Sequence, residues 1–440
     1  MFCVLLAAVL VCDAVLPAQT ARKLTVKDLP PSAFQLISIK VTGTQRYKPE
    51  DVIAACGLQV GRTVGEDDFK KIARELGETG AFSDVLYSFQ YSMEGTNLEL
   101  QVKDEEKFVP VRFDNVVWFS DQELRDKIQA HVPLFKGDLP VSGTLLDQVS
   151  ETLQTLVFER NPQAHANYIR EAKQGSGEEE SSIRAIVFSV SGVRIVIRHA
   201  VFSGAEPSEL PLLDSVAKKL TGQDYYRTAL RAQEDKSFLP IYLEHGYLKA
   251  SFTDAQAKVV QENPDETLVD VTFPVDRGEQ YKLAAIEISG NKAFATAQLH
   301  SLLHLEPDRP ANAVELETGI EAIKKLYGTK GYMAAAVQPT PEFDDAKATV
   351  TYRLEVREGE VYHMGDLEIV GPDSRTTGRL VDEWKLRDGD VYDSAYTTTF
   401  LNQASKEIAP LGFWKISVHE TLNEKDKTVD VTFRFDSKRE

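Results

Sequence analysis

His300 and His304 stand four residues apart, a spacing that puts two imidazoles on one face of a helix, as a zinc site can require. The residues between them are Ser301-Leu302-Leu303. No acid adjoins His300, and the three cysteines, Cys3, Cys12 and Cys56, lie far away in sequence. The pair therefore reads as surface or half-buried helix histidines, and no metal site is expected. The run Glu178-Glu179-Glu180 has the charge to hold a cation. It sits inside Gly175-Ser176-Gly177 and Ser181-Ser182, so a solvated loop tip is the simpler account. Cys56 follows Ile53-Ala54-Ala55 at the end of a helical stretch and reads as a small buried residue rather than a reactive thiol. There is no Gly-x-Ser-x-Gly, no phosphate loop and no dinucleotide fingerprint. Carboxylates are plentiful, but none is singled out as a pair. The expectation is a non-enzyme with no catalytic residues and no cofactor.

Composition narrows the alternatives. The chain has 440 residues, 42% hydrophobic and 27% charged, which is globular rather than disordered. Fifty Lys+Arg against 68 Asp+Glu give a net charge of −18, which argues against a nucleic-acid backbone as the main ligand. Three cysteines, two of them in the first dozen residues, exclude a disulfide scaffold. Phe2 to Val11 is an unbroken apolar run, too short for a helix to cross a bilayer, which takes about 20 residues. Small residues follow in Ala18-Gln19-Thr20-Ala21. Residues 1–21 are thus expected to be a secretory signal peptide, cleaved after Ala18 or Ala21, and 22–33 a linker. No later run approaches a membrane span.

The elements that must position any site come in repeats. Gly331-Tyr332 follows Gly246-Tyr247 by 85 residues, and Gly412-Phe413 follows Gly331-Tyr332 by 81. Gly80-Ala81-Phe82 lies two such periods before Gly246. A second landmark keeps step: strand-like segments ending in Gly43, Gly204, Gly290 and Gly371. A third, Val275-Asp276-Arg277-Gly278-Glu279-Gln280-Tyr281, returns as Val356-Arg357-Glu358-Gly359-Glu360-Val361-Tyr362. Between landmarks the patterning is constant. In the fourth unit, Leu283 to Ser289 ends in strand alternation, and 291–303 and 313–327 have helical spacing. Residues 332–337 then read as a strand, 344–347 as a turn and 348–356 as a closing strand. The unit is β-α-α-β-β.

The second unit is divergent. It predicts a strand over 111–119 and helices over 122–132 and 143–158, with Asn161-Pro162 where the glycine-aromatic pair should be. Expected domains are 34–107, 108–194, 195–280, 281–360 and 361–438. The fold class is α+β: five tandem domains, each a three-stranded mixed sheet with two helices on one face. The eight landmark glycines read as structural. One set turns a strand into a helix with positive φ, and the other ends the second helix.

Five tandem units with an Ile-x-Ile-x-Gly strand, Gly-Tyr/Phe after the second helix and a closing Val-x-Glu-Gly-x-x-Tyr resemble POTRA (polypeptide-transport-associated) domains. These form the periplasmic part of BamA-type outer-membrane assembly factors. The resemblance covers about 34–438, and five is also the number in that family. Such factors continue into a membrane β-barrel, for which this sequence has no residues after the fifth unit, so insertase activity is not carried over. The resemblance implies a periplasmic protein held at the outer membrane through its partners. Those partners would be unfolded outer-membrane proteins, assembly-complex proteins or a separately encoded barrel. It also implicates second strands as edges for strand addition. The candidates are Tyr247, Ala250 and Phe252, then Tyr332 and Ala334, then Phe413, Trp414, Ile416 and Val418. The alternation in 413–418 suggests a proline at Ser417, against alanine, as the test. Two other readings stand beside this one: the arm of a split or truncated BamA-like factor, and a cell-envelope or division scaffold.

Overall fold

Alternation of more and less buried residues along the closing strands of repeats 1, 3, 4 and 5 builds the sheets, and helical stripes cover one face. The structure, a computed structural model, describes residues 29–172, 183–408 and 414–437. The expected signal peptide, the acidic loop tip at 178–180, and the Gly412-Phe413 landmark lie outside the described residues. The chain divides into two bodies, residues 1–194 and 195–440.

In the first body, repeat 1 runs β1 (Leu36–Thr42), α1 (Pro49–Cys56), α2 (Glu66–Glu78), β2 (Phe82–Tyr91) and β3 (Thr96–Asp104). The closing strand β3 is central, with β1 parallel on one side and β2 antiparallel on the other. Leu98, Leu100 and Val102 alternate into the core, where they meet Phe69, Ile72 and Leu76 of α2. Burying each such side chain contributes roughly 1.5–3 kcal/mol.

Repeat 2 runs β4 (Phe108–Phe113), α3 (Asp121–His131), β5 (Asp138–Pro140), α4 (Leu145–Arg160), β6 (His165–Ala172) and β7 (Ile183–Ser191). Its sheet order is β5-β4-β7-β6. The expected strand 111–119 stops at Phe113 for a specific reason. Buried Asn115 donates from Nδ2 to the Val190 carbonyl at 3.0 Å, and its Oδ1 accepts from the Val190 N–H at 2.6 Å. This side chain replaces the next strand residue. Asn115→Ala strands both backbone groups, so we expect a loss of about 2 kcal/mol in denaturant unfolding of the first body. An unchanged midpoint would show that the pairing contributes nothing. Helix α4 is started by repeat 1: the Thr144 and Leu145 N–H groups donate to the Glu78 and Thr79 carbonyls at 2.8 and 3.2 Å.

In the second body, repeat 3 runs β8 (Arg194–Ser203), α5 (Leu210–Ala217), α6 (Arg227–Gln233), a π-helical segment Glu234–Phe238, α7 (Leu239–Glu244), β9 (Ser251–Phe252), β10 (Gln256–Glu262) and β11 (Glu266–Asp276). Pro240 has no N–H for the helix, and the widened turn before it absorbs the clash. Repeat 4 is β12 (Lys282–Ser289), α8 (Thr296–Leu303), α9 (Ala313–Gly328), β13 (Ala336–Asp344) and β14 (Thr349–Arg357). Repeat 5 is β15 (His363–Val370), α10 (Ser374–Glu383), α11 (Ser394–Ile408), β16 (Trp414–Asn423) and β17 (Thr428–Ser437). Repeats 4 and 5 keep the three-stranded order of repeat 1, while in repeat 3 the second strand is split into β9 and β10.

Two expected strands move. Residues 247–250 and 332–335 are turns, and the second strands of repeats 3 and 4 begin at Ser251 and Ala336. The Tyr247 and Tyr332 N–H groups donate back to the Tyr242 and Tyr327 carbonyls at the preceding helix ends, at 3.1 and 3.2 Å. A backbone committed to capping a helix cannot yet join a sheet.

The landmark glycines carry more than helix ends. Gly290 has φ +83°, and a Cβ there would overlap the Val356 carbonyl oxygen of β14; Gly43, Gly204 and Gly371 meet their own closing strands in the same way. Gly331, at φ +80°, touches the next repeat: its carbonyl accepts from the Tyr362 N–H at 2.8 Å, as Gly246 accepts from Tyr281 at 2.8 Å.

Candidate binding edges

Among the described residues, the candidates for chemistry stay apart. His300 lies exposed on α8, whereas His304 is its C-cap, with φ 53°, so the pair does not share a helix face. Among the described residues no group of His, Cys, Asp or Glu is placed to hold a metal ion. Burial pushes the Cys56 thiol up to about 12, which keeps it protonated and unreactive at neutral pH. Glu358 is structural as well. Partial burial opposes its charge, but the Ala293 and Lys292 N–H groups and the Tyr327 hydroxyl donate to it at 2.7, 2.6 and 2.9 Å. Together they hold its carboxyl below the usual range. Asp104 takes the same loop amides in repeat 1, from Gln45 and Arg46. In repeat 3 the charges are swapped: Arg277 directly follows the closing strand, and Glu206 and Glu209 come from the segment leading into α5, at 3.1 and 3.3 Å.

What remains available is backbone. Each sheet has two outer strands, and the first of them is closed at its start by the protein itself. The loop between the two helices bridges it at Gln35↔Thr63, Val196↔Asp224, Lys282↔Pro310 and His363↔Val391. In repeat 2 the bridge lengthens into β5. The fourth strand of that sheet is thus an extension of a contact that every repeat makes. Among the described residues no strand pairs with the outer side of β2, β6, β10, β13 or β16.

These second strands differ in what they offer. β13 carries Pro339 and Pro341, opposite Leu354 and Tyr352. Proline has no N–H to give to β14, so this alternate row, with Val337 and Phe343, faces outward and lacks two of its donors. In β16 the same row holds Val418 and Glu420, because Val418 lies opposite Phe433 as Pro339 lies opposite Leu354. Ser417 falls in the inward row, where a proline would break pairing with β17. The informative proline is therefore at Val418.

The residues expected to bind partners occupy several roles. Tyr247 packs edge-on against Tyr242 and lies under the Arg277 guanidinium; Ala250 closes its turn; Phe252 packs tilted against Phe238 and edge-on against Tyr242. Tyr332 packs on Tyr327, and Ala334 lies against Gly359. Trp414, Ile416 and Val418 are half-buried against the core of repeat 5. Phe413 lies outside the described residues. The strand-bearing candidates that the structure keeps on one edge are Trp414, Ile416 and Val418. Sequence reading passed over Pro339 and Pro341 as edge guards, although Pro-x-Pro in an outer strand is itself a signal.

Residues 281–359 match the POTRA family, described as surface antigen variable number repeat. The chain as a whole resembles a POTRA-domain array. It resembles the periplasmic part of BamA-type assembly factors. A Treponema pallidum (strain Nichols) protein named as an outer membrane protein assembly factor is 28% identical over 218 residues, 48% of this chain and 26% of that protein. The outer membrane protein assembly factor BamA of Neisseria meningitidis serogroup B is 21% identical over 431 residues, 90% of this chain and 49% of that protein. The array thus spans about half or less of the length of these relatives. Among solved structures, Haemophilus influenzae BamA POTRA3-5 is 23% identical, covering 56% of this chain and 96% of that one with a TM-score of 0.44. Haemophilus influenzae BamA POTRA4 is 34% identical, covering 19% of this chain and 95% of that one with a TM-score of 0.18.

Proposed function

We propose that this POTRA array is a non-enzymatic periplasmic scaffold of outer-membrane protein assembly. It receives unfolded clients or assembly partners as strands added to its sheet edges and is held at the outer membrane through those partners. The observation that carries the reading is the asymmetry of the sheets. One outer strand is tied down by the protein's own interhelical loop, while among the described residues no strand pairs with the outer side of the second strand. Main-chain pairing tolerates many sequences, which suits a surface that must accept varied clients. The names of the relatives favour the same process. The alignment over 90% of this chain but 49% of the Neisseria protein favours a closer version, in which the array acts as the arm of a BamA-like factor.

The test is crosslinking capture from native envelopes with Val418→Pro against Val418→Ala. Proline removes one outward donor and alanine removes only side-chain volume. We expect the proline variant to lose captured outer-membrane proteins relative to the alanine variant, with circular dichroism and melting alike. Equal capture by both would remove β16 as an acceptor, and no capture by the unsubstituted chain would sink the scaffold reading.

A further inference from the structure

We propose that β2 of repeat 1 is the edge that takes a partner's amphipathic strand, with apolar side chains at alternate positions and uncharged polar ones between. This rests on the strand-addition reading and ranks the edges within it. Gly43 and Gly290 meet Val102 and Val356 in the same way, which aligns repeat 1 with repeat 4. Val102 pairs with Val85 and Val356 with Val337, so Tyr87 and Phe89 stand where Pro339 and Pro341 stand in β13. The hairpin agrees: the Ser92 N–H donates inward to the Gly95 carbonyl at 2.9 Å, leaving Val85, Tyr87, Phe89 and Tyr91 facing outward. All four keep their donors.

The other edges carry the devices by which proteins protect open sheets. In repeat 4 they are prolines. In repeat 3 the edge is broken between β9 and β10 and shifts register again between Val259 and Gln261. β16 carries Lys415, His419 and Glu420, and β6 carries Arg170 and Glu171. β2 is ten residues long, shifts register only at its start, between Phe82 and Asp84, and has Asp84 as its one charged residue.

The chemistry of the partner follows from the two sides of β2. Towards the helices, Val85, Tyr87, Phe89 and Tyr91 are half-buried, and an added strand there gains by covering them. Towards the open face, Asp84, Ser88 and Gln90 are exposed, with Leu86 at 54%. A strand that is apolar on one side and polar on the other satisfies both, and this is the alternation of a membrane β-barrel strand.

The probe is a dye-labelled, uncharged decapeptide alternating Val/Tyr with Thr/Asn, read by anisotropy on the full chain. A scrambled peptide of the same composition and a version N-methylated at alternate positions are the controls. We expect only the alternating, unmethylated peptide to bind, and Tyr87→Pro to weaken it about tenfold while Tyr87→Ala does much less. The reverse exchange, Pro339→Tyr with Pro341→Phe, should open a second site on repeat 4, which keeps the proposal testable if Tyr87→Pro disturbs folding. If binding survives Tyr87→Pro in a folded chain but falls with Val418→Pro, this ranking is overturned and the scaffold reading stands. If no alternating peptide binds anywhere, strand addition itself fails. Crosslinks from β2 only to a second copy, or only to the chain's own N-terminal residues, overturn the proposal as well.

Discussion

Gly290→Val will unfold repeat 4. The position requires φ +83°, which a β-branched residue does not adopt, and the added side chain would collide with the Val356 carbonyl of the central strand. The collision is with backbone, so no rotamer relieves it, and the expected loss is about 3–5 kcal/mol. Repeat 4 has its own buried cluster, from Tyr281 to Val356, distinct from that of repeat 5. Limited proteolysis should therefore cut first within 281–359. Gly371→Val should do the same to repeat 5, where φ is +115° and the obstacle is the Phe435 carbonyl. Uniform cleavage along the whole chain would mean that the repeats do not fold as separate units.

Glu234→Gln should stabilise repeat 3, and only at higher pH. Glu234 lies in the π-helical segment, 5% exposed, and its Oε1 has no hydrogen-bond partner. Burial pushes its carboxyl up to about 7, against the pull of Arg231, which is itself paired with Asp254 at 3.4 Å; Asp235 and Asp254 push it further up. The folded repeat thus holds its proton more tightly than the unfolded chain. Stability is greatest below the ordinary carboxylate range and falls as pH rises through about 7. Glutamine keeps the shape and cannot ionise. At pH 8 the variant should gain about 2 kcal/mol, and at pH 4 almost nothing, by thermal or urea unfolding. A gain of the same size at both pH values would place the cause in packing rather than charge.

How much of this was legible beforehand depended on the physics involved. Periodic signals carried well. Alternation at Val350, Tyr352, Leu354 and Val356 marked the central strand of repeat 4, and the stripe at Leu316, Ile320 and Ile323 marked its long helix. The α+β repeat and the POTRA likeness both followed from such signals. Signals that depend on a partner distant in sequence did not carry. Tyr247 and Tyr332 look like the first residues of strands, and only the bonds to Tyr242 and Tyr327 show that they still belong to helix ends. The strand expected to continue to Phe119 stops at Phe113, because Asn115 finds Val190, 75 residues away. Inward and outward rows are set by cross-strand register, which the sequence of one strand does not contain. Hence Ser417 looked like the position to probe until its pairing was known.

The carbonyls of Gly246 and Gly331 each wait for the amide of a tyrosine some thirty residues further on, and α4 borrows its first turn from carbonyls at the end of α2. A chain synthesised N-terminus first therefore cannot finish such a repeat until part of the next has emerged. Maturation is handed forward within each body, repeats 1, 3 and 4 being sealed by their successors. A fragment cut between Gly246 and Tyr281 would carry an unsealed helix end and an uncovered glycine. Dissection of the array should respect those tyrosines, with each fragment running at least one residue past the landmark that closes it.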